Sequence, residues 1–105
     1  MDLKEAQSIV DEYILQFKEG YFPPMNNLAR LVEEVGELSR EMNHTYGPKK
    51  KKASEDQRDK SKDEMGDILF TLIVLANQMD IDLGESLQEV VNKYNLRDKK
   101  RWTLE

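Results

Sequence analysis

The chain has 105 residues, 38% of them apolar and 35% charged, with a formal net charge of −5 and no cysteine. That length suits one domain, and the lack of cysteine excludes disulfides and thiolate metal sites. The acidic balance runs against a duplex-binding surface, and much charge with modest apolar content suits long amphipathic helices that hide further apolar surface against a copy of the same chain.

The first predicted helix runs from about Leu3 to Glu19. Asp2 and Glu5 make a capping box, each satisfying an orphan backbone N–H. Ile9, Val10, Tyr13, Ile14 and Phe17 recur at helical spacing, and Gly20 is the expected stop. Pro23 and Pro24 open a second helix, because proline suits a first turn. It continues to about His44 with the stripe Leu28, Leu31, Val32, Val35, Leu38 and Met42, and Gly47-Pro48 ends it. The four lysines Lys49 to Lys52 and the charged stretch to Lys62 read as a mobile or frayed connection. A third helix starts between Ser54 and Ser61 and reaches about Met79, with stripe Met65, Ile68, Leu69, Leu72, Ile73, Ala76 and Met79. Asp82 and Glu85 repeat the capping-box pattern and open a fourth helix, whose stripe is Leu87, Val90, Val91 and Tyr94. A basic tail, Arg97-Asp98-Lys99-Lys100-Arg101-Trp102, follows. No convincing strand pattern appears, so the expected fold is all-α, a four-helix bundle-like protomer built from residues 1–105 as a single domain. The N-terminus has no apolar signal core, and the longest apolar run, Ile68 to Ala76, is too short to span a bilayer. A cytoplasmic protein with no membrane or nucleic-acid partner is expected.

The second and third helices carry a short internal echo. Glu33-Glu34-Val35-Gly36-Glu37-Leu38 matches Asp63-Glu64-Met65-Gly66-Asp67-Ile68 position by position. At about 100° per residue, Glu34 and Glu37 lie on neighbouring lines of one helix, with Glu34 nearer the apolar stripe and Glu33 on the wetter flank. The same arithmetic puts Glu64 and Asp67 on one edge of the other helix. Packing the two stripes together brings Glu34, Glu37, Glu64 and Asp67 to the rim of the core. Gly36 and Gly66 are read as letting the helices approach closely, since glycine inside a helix otherwise costs about 1 kcal/mol. Two like charges about 5 Å apart cost roughly 3 kcal/mol at an effective dielectric of about 20, so the cluster calls for a counter-charge. Oxygen-only ligands suit Mg²⁺ or Mn²⁺, and Mg²⁺ shares its shell with substrate phosphates. Solvated acidic helix faces offer the same residue types, but the matched pair, with glycines in register, favours a metal site.

In these residues the chain resembles the MazG-type nucleotide pyrophosphohydrolases, of the all-α NTP pyrophosphohydrolase superfamily. The family pattern EExxE, a spacer, then ExxD reads here as Glu33-Glu34-x-x-Glu37 and Glu64-x-x-Asp67. The stretch Glu41-Met42-Asn43-His44-x-Tyr46-Gly47 and the tail Asn92-Lys93-Tyr94-Asn95-x-Arg97-Asp98-Lys99-x-Arg101-Trp102 look like the small single-domain YpjD-like branch. The resemblance implies Mg²⁺-dependent cleavage of a nucleoside triphosphate, NTP or dNTP, between the α and β phosphates, giving a monophosphate and pyrophosphate. It implies Glu34, Glu37, Glu64 and Asp67 as metal ligands. Glu33 would lie behind them or orient the attacking water, so Glu33 and Glu34 are the catalytic candidates. It also implies a homodimer or homotetramer with sites near subunit contacts, and a role in cleaning nucleotide pools.

Lys93, Asn95, Arg97, Lys100 and Arg101 form a basic patch with two readings, stabilisation of a helix C-terminus or phosphate binding. Asn95 is the foremost substrate contact on the second. His44 and Trp102 are further substrate-contact candidates, while Phe17 and Tyr21 read first as core. The lysines of the connection rank below the tail. Two rival functions stay open: a non-catalytic helical module whose acids bind metal or a basic partner, and a pyrophosphohydrolase acting on a phosphoribosyl-nucleotide.

Overall fold

A computed structural model describes residues 1–105. It contains four helices and no strand: α1 (Leu3–Leu15), α2 (Pro24–Tyr46), α3 (Ser61–Gln78) and α4 (Leu83–Asp98). The caps are those anticipated. Asp2 Oδ1 accepts from Glu5 N at 2.8 Å, Asp82 Oδ1 accepts from Glu85 N at 3.1 Å, and Pro24 occupies the first turn of α2. Helix α1 stops earlier than expected, at Leu15, and the turn beyond it closes with Gly20 N on Phe17 O at 3.2 Å, Gly20 taking a φ of +60°. At the end of α3 the N–H groups of Asp80 and Ile81 bond back to Asn77 O and Ala76 O. This paired closure needs a left-handed residue, which Asp80 supplies at φ 55°.

Helices α2 and α3 run antiparallel. Asn27 Nδ2 bonds Gln78 Oε1 (2.8 Å) at one end, and Glu41 Oε1 accepts from Lys60 N (2.9 Å) at the other. Helix α1 lies antiparallel on a second face of α3. There Val10, Ile73 and Val74 form the buried core, with Ala6, Ile14, Tyr21, Phe70 and Leu83 packed around them. Amides fix the register: Asn77 Nδ2 donates to Gln7 O and Tyr21 Oη, and Gln7 holds Ile81 O and Leu83 N, the start of α4.

Helix α4 packs on α1 and buries none of its residues. The predicted stripes therefore divide. On α2 only Leu31 and Leu38 face inward, while Leu28, Val32, Val35 and Met42 stay exposed on a second face. On α3, Met65, Leu69, Leu72 and Met79 are likewise exposed, as is the whole α4 stripe. The radius of gyration is 17.6 Å, where a compact chain of this length has about 13 Å. The accessible surface is 8596 Å², against roughly 6,100 Å² for a compact monomer of this mass. No helix is long and apolar enough to cross a membrane.

Two sequence expectations are corrected here. A Cβ added to Gly36 or Gly66 would meet nothing within 4 Å, so neither glycine serves a close approach of α2 to α3. The connection after α2 is not frayed: it folds back on α2 and is tied down by side-chain hydrogen bonds from Lys51, Arg40 and His44.

Candidate metal centre

The inward line of α2 begins as Asn27 and Leu31, passes Glu34 and Leu38, and ends at Glu41. Glu34 is thus carried into the seam by the same spacing that buries the leucines. Across it, the first turns of α3 present Glu64. One carboxylate oxygen from each of Glu34, Glu37 and Glu64 lies within 4.8 Å of the others. Asp67 is exposed and stands outside that set, yet its charge is felt by both Glu34 and Glu64. Glu33 is exposed on the flank.

The electrostatics are those of acids lacking cations. The Glu34 side chain is 14% exposed and has only a loose partner, Arg30 Nε at 3.7 Å. Burial pushes its carboxyl above the usual range, Glu37 and Asp67 push it further, and Arg30 opposes them. Burial also raises Glu64, reinforced by the close approach of Glu37 and by the charges of Asp67 and Glu34. Oε2 of Glu34 and Oε2 of Glu64 are buried with no hydrogen-bond partner. Buried polar atoms are nearly always satisfied, so two orphaned oxygens in one carboxylate cluster fit a divalent cation as their partner.

Beside the triad opens a cavity of about 370 Å³ without an apolar wall. Its acids are Glu37, Glu41, Glu55, Asp56 and Glu64, and its cations Arg40, Lys51 and Lys60. Reading from sequence passed over Arg40, ranked the connection lysines below the tail, and gave Glu41 no role of its own, although Glu41 follows Glu34 by seven residues and so shares its face. A second cavity, about 340 Å³, is lined by Tyr13, Phe17, Tyr21, Phe22 and Phe70 together with Arg30, the same arginine that approaches Glu34. Phe17 is half exposed there, a correction to its reading as core.

The tail candidates lie elsewhere in the protomer. Asn95 and Trp102 share a separate recess with Leu96, Asp98 and Lys99. Lys93 and Arg97 lie over the Tyr94 ring, Arg97 grips Asp98 with Nε at 2.7 Å, and Arg101 lies over Trp102. Lys100 is exposed. His44 Nδ1 is 3.0 Å from Lys49 O and lines a small recess with Lys50 and Asp59. None of these residues joins the acid cluster within one copy of the chain.

Comparison with known proteins identifies the family. The model of the MazG nucleotide pyrophosphohydrolase domain matches residues 22–102. YpjD of Bacillus subtilis (strain 168) is 58% identical over 102 residues, which is 96% of this chain and 90% of that protein. The crystal structure of Bacillus subtilis YpjD superposes with a TM-score of 0.80 at 53% identity, covering 90% of this chain and 96% of the other. The Bacillus-conserved MazG protein, described as a nucleotide pyrophosphohydrolase, gives a TM-score of 0.79 at 46% identity, covering 96% and 97%. The matched residues include both acidic motifs that build the carboxylate triad, and the chain belongs to the MazG nucleotide pyrophosphohydrolase family.

Proposed function

We propose that residues 1–105 form one domain that hydrolyses nucleoside triphosphates, NTP or dNTP, to a monophosphate and pyrophosphate with Mg²⁺ or Mn²⁺. The carrying observation is the Glu34, Glu37 and Glu64 cluster, with its two orphaned buried oxygens. Those three acids and Asp67 would hold the ion. When bound, it supplies charge neutralisation of the phosphates, stabilisation of the pyrophosphate leaving group and a lowered pKa for water at the site. Glu33, exposed beside the cluster, orients that water, and a carboxylate of the cluster takes its proton.

The aromatic cavity next to Arg30 supports a substrate that carries a base, since flat apolar rings beside a cation suit a nucleobase joined to a phosphate chain. The protomer's large surface and its exposed stripes on α2, α3 and α4 support a homodimer or homotetramer. In such an assembly the tail residues Lys93, Asn95, Arg97, Lys100, Arg101 and Trp102, with His44, serve substrate across a subunit contact. A cytoplasmic role in nucleotide-pool cleaning goes with this reading.

The test is incubation with a panel of NTPs, dNTPs and phosphoribosyl-nucleotides plus Mg²⁺ or Mn²⁺, with products resolved by chromatography. Monophosphate and pyrophosphate from a nucleoside triphosphate support the proposal. Diphosphate and orthophosphate would mean the wrong bond, and no turnover with either ion would leave a metal-binding module. Turnover of the phosphoribosyl-nucleotide alone would favour that rival. Glu34→Gln keeps the size and removes one anionic ligand, so its retention of full rate would overturn the ligand assignment.

A further inference from the structure

The segment from Lys49 to Lys60 is a strap laid back along α2, and one buried carboxylate holds it. Lys51 Nζ lies 2.6 Å from Glu41 Oε1 and donates to Arg58 O at 2.7 Å. The side chains of Lys51 and Glu41 are only 8% and 6% exposed. The same Glu41 oxygen accepts from Lys60 N at 2.9 Å. A single acid on α2 therefore fixes both the middle of the strap and the residue that heads α3. Lys60 O in turn accepts from Glu64 N at 3.0 Å, which sets Lys60 one helical turn ahead of a member of the acid triad.

The cations around the polar cavity differ in how firmly they are engaged. Lys51 is buried against Glu41. Arg40 is held by Glu55 at 2.7 Å. Lys60 has only Asp56, at 3.7 Å, and Asp56 is already gripped by Arg58 through its Nε and Nη2 at 2.6–3.1 Å. The Lys60 side chain is 41% exposed and lines the same cavity as Glu37 and Glu64, whose other acids, Glu41, Glu55 and Asp56, are already paired with Lys51, Arg40 and Arg58. An ammonium without a firm partner, facing acids that need a divalent cation, suits a ligand that satisfies both at once. A phosphate chain would do so, since it is anionic enough to pair with the lysine while sharing a divalent cation held by the acids.

We propose that Lys60 binds the phosphate chain of the substrate in this cavity, and that Lys51 is a positioning residue which, through Glu41, holds Lys60 there. This rests on the pyrophosphohydrolase reading above. Its test uses the full chain with Lys60→Gln, Lys60→Arg, Lys51→Met and the Lys51→Met/Lys60→Gln pair. Hydrolysis of the best triphosphate gives KM and kcat, inorganic pyrophosphate with Mg²⁺ gives an inhibition constant, and Mn²⁺ alone gives metal affinity.

Lys60→Gln is expected to raise KM and the pyrophosphate inhibition constant about tenfold, the size of one charge-assisted contact. It should leave kcat within about threefold, on the same footing, and Mn²⁺ affinity unchanged. Lys60→Arg should recover most of the loss. Lys51→Met should raise KM as well, and adding Lys60→Gln to it should then cost little more, because the lysine has already left its place. If Lys51→Met does not fold, Glu41→Gln, which keeps the acceptor and loses the charge, replaces it in the cycle. A Lys60→Gln protein with the wild-type KM and pyrophosphate inhibition overturns the role of Lys60. Full additivity in the double variant overturns that of Lys51. A wild-type protein that neither turns over a triphosphate nor binds pyrophosphate would instead sink the parent reading.

Discussion

Leu69 offers a direct test of whether this chain works alone. It lies mid-way along α3, faces away from α2 and is 48% exposed, in line with the exposed Met65 and Leu72. The accessible surface exceeds that of a compact monomer of this mass by about 2,500 Å², an amount typical of what an obligate interface removes. Fully burying a leucine side chain contributes about 1.5–3 kcal/mol. About half of Leu69 remains to be covered, so its share in an interface is about 1 kcal/mol per copy. A two-fold contact counts it twice, about 2 kcal/mol. Leu69→Ala should then weaken self-association roughly 30-fold. Leu69→Asp should do far more, because the contact would also have to bury two unpaired carboxylates. Sedimentation velocity over a dilution series, with helicity checked by circular dichroism, reads both effects. If the tail of one copy serves the acids of another, catalytic activity per chain should fall over the same dilution range. A wild-type chain that sediments as a monomer at tens of micromolar (more than about ten thousand times a nanomolar Kd), or a Leu69→Asp chain that associates like wild type, would refute the reasoning.

Three further outcomes follow from the same structure. Glu34 and Glu64 have folded-state pKa values raised above the ordinary 4.5 by burial and neighbouring acids. Their protonated forms therefore favour the fold, a contribution fully present below pH 4.5 and lost as pH rises through the raised values. Chelator-treated protein should lose thermal stability over that rise, and the Mn²⁺-induced gain in Tm should grow across it; a Mn²⁺ shift that is flat with pH would remove these two acids from the metal site. Gly36→Ala places its methyl in open space, so the helix should gain up to about 1 kcal/mol and Tm should rise by several degrees in a thermal melt, whereas a fall of similar size would show another chain packed on that surface. Ile73 is 3% exposed in the core between α1 and α3, and Ile73→Ala should cost roughly 2–5 kcal/mol in urea unfolding; a loss under 1 kcal/mol would mean that the α1–α3 contact contributes little to the fold.

Local chemistry made much of the fold legible. Asp2, Asp82 and Pro24 mark helix starts because a cap is satisfied by residues within one turn. The acid triad was legible for a related reason: helical geometry alone relates Glu34 to Glu37, and the echo in α3 supplies the facing acid. What failed was whatever depends on the identity of a neighbour. The apolar positions of α2 read as one stripe, yet Leu31 and Leu38 serve α3 while Leu28, Val32 and Val35 face out, and periodicity cannot say which part of a wide stripe meets which partner. Gly36 and Gly66 sit in the acidic motifs but away from the contact. The strap was the largest miss. Lysine is almost never buried without a paired acid, and Lys51 finds its acid ten residues back, a pairing that no local pattern announces. The amide ties of Gln7 and Asn77, 70 residues apart, were equally invisible.

The arrangement of charge around the cavity separates a binding centre from an ordinary acidic face. Acids crowd both the strap with its α2 anchor and the triad, but only the first group has close cations. Glu41 has Lys51, Glu55 has Arg40 and Asp56 has Arg58, each at 2.6–2.7 Å. The triad has no such match: Arg30 reaches Glu34 only at 3.7 Å, and Oε2 of both Glu34 and Glu64 is buried without a partner. Cations are not scarce nearby, since Lys60 lines the same cavity as Glu37 and Glu64 with only a 3.7 Å partner of its own. An exposed acidic face needs no such segregation, because water and salt screen it and its ion pairs contribute little either way. In the helix seam screening is weak, so withholding counter-charge there destabilises the folded chain by itself. A sequence that pairs Glu41, Glu55 and Asp56 one by one and leaves Glu34 and Glu64 without a close cation fits a site whose positive charge comes from outside the chain. Burial and the neighbouring acids raise the pKa values of Glu34 and Glu64, and a cation bound between the two carboxylates would lower both.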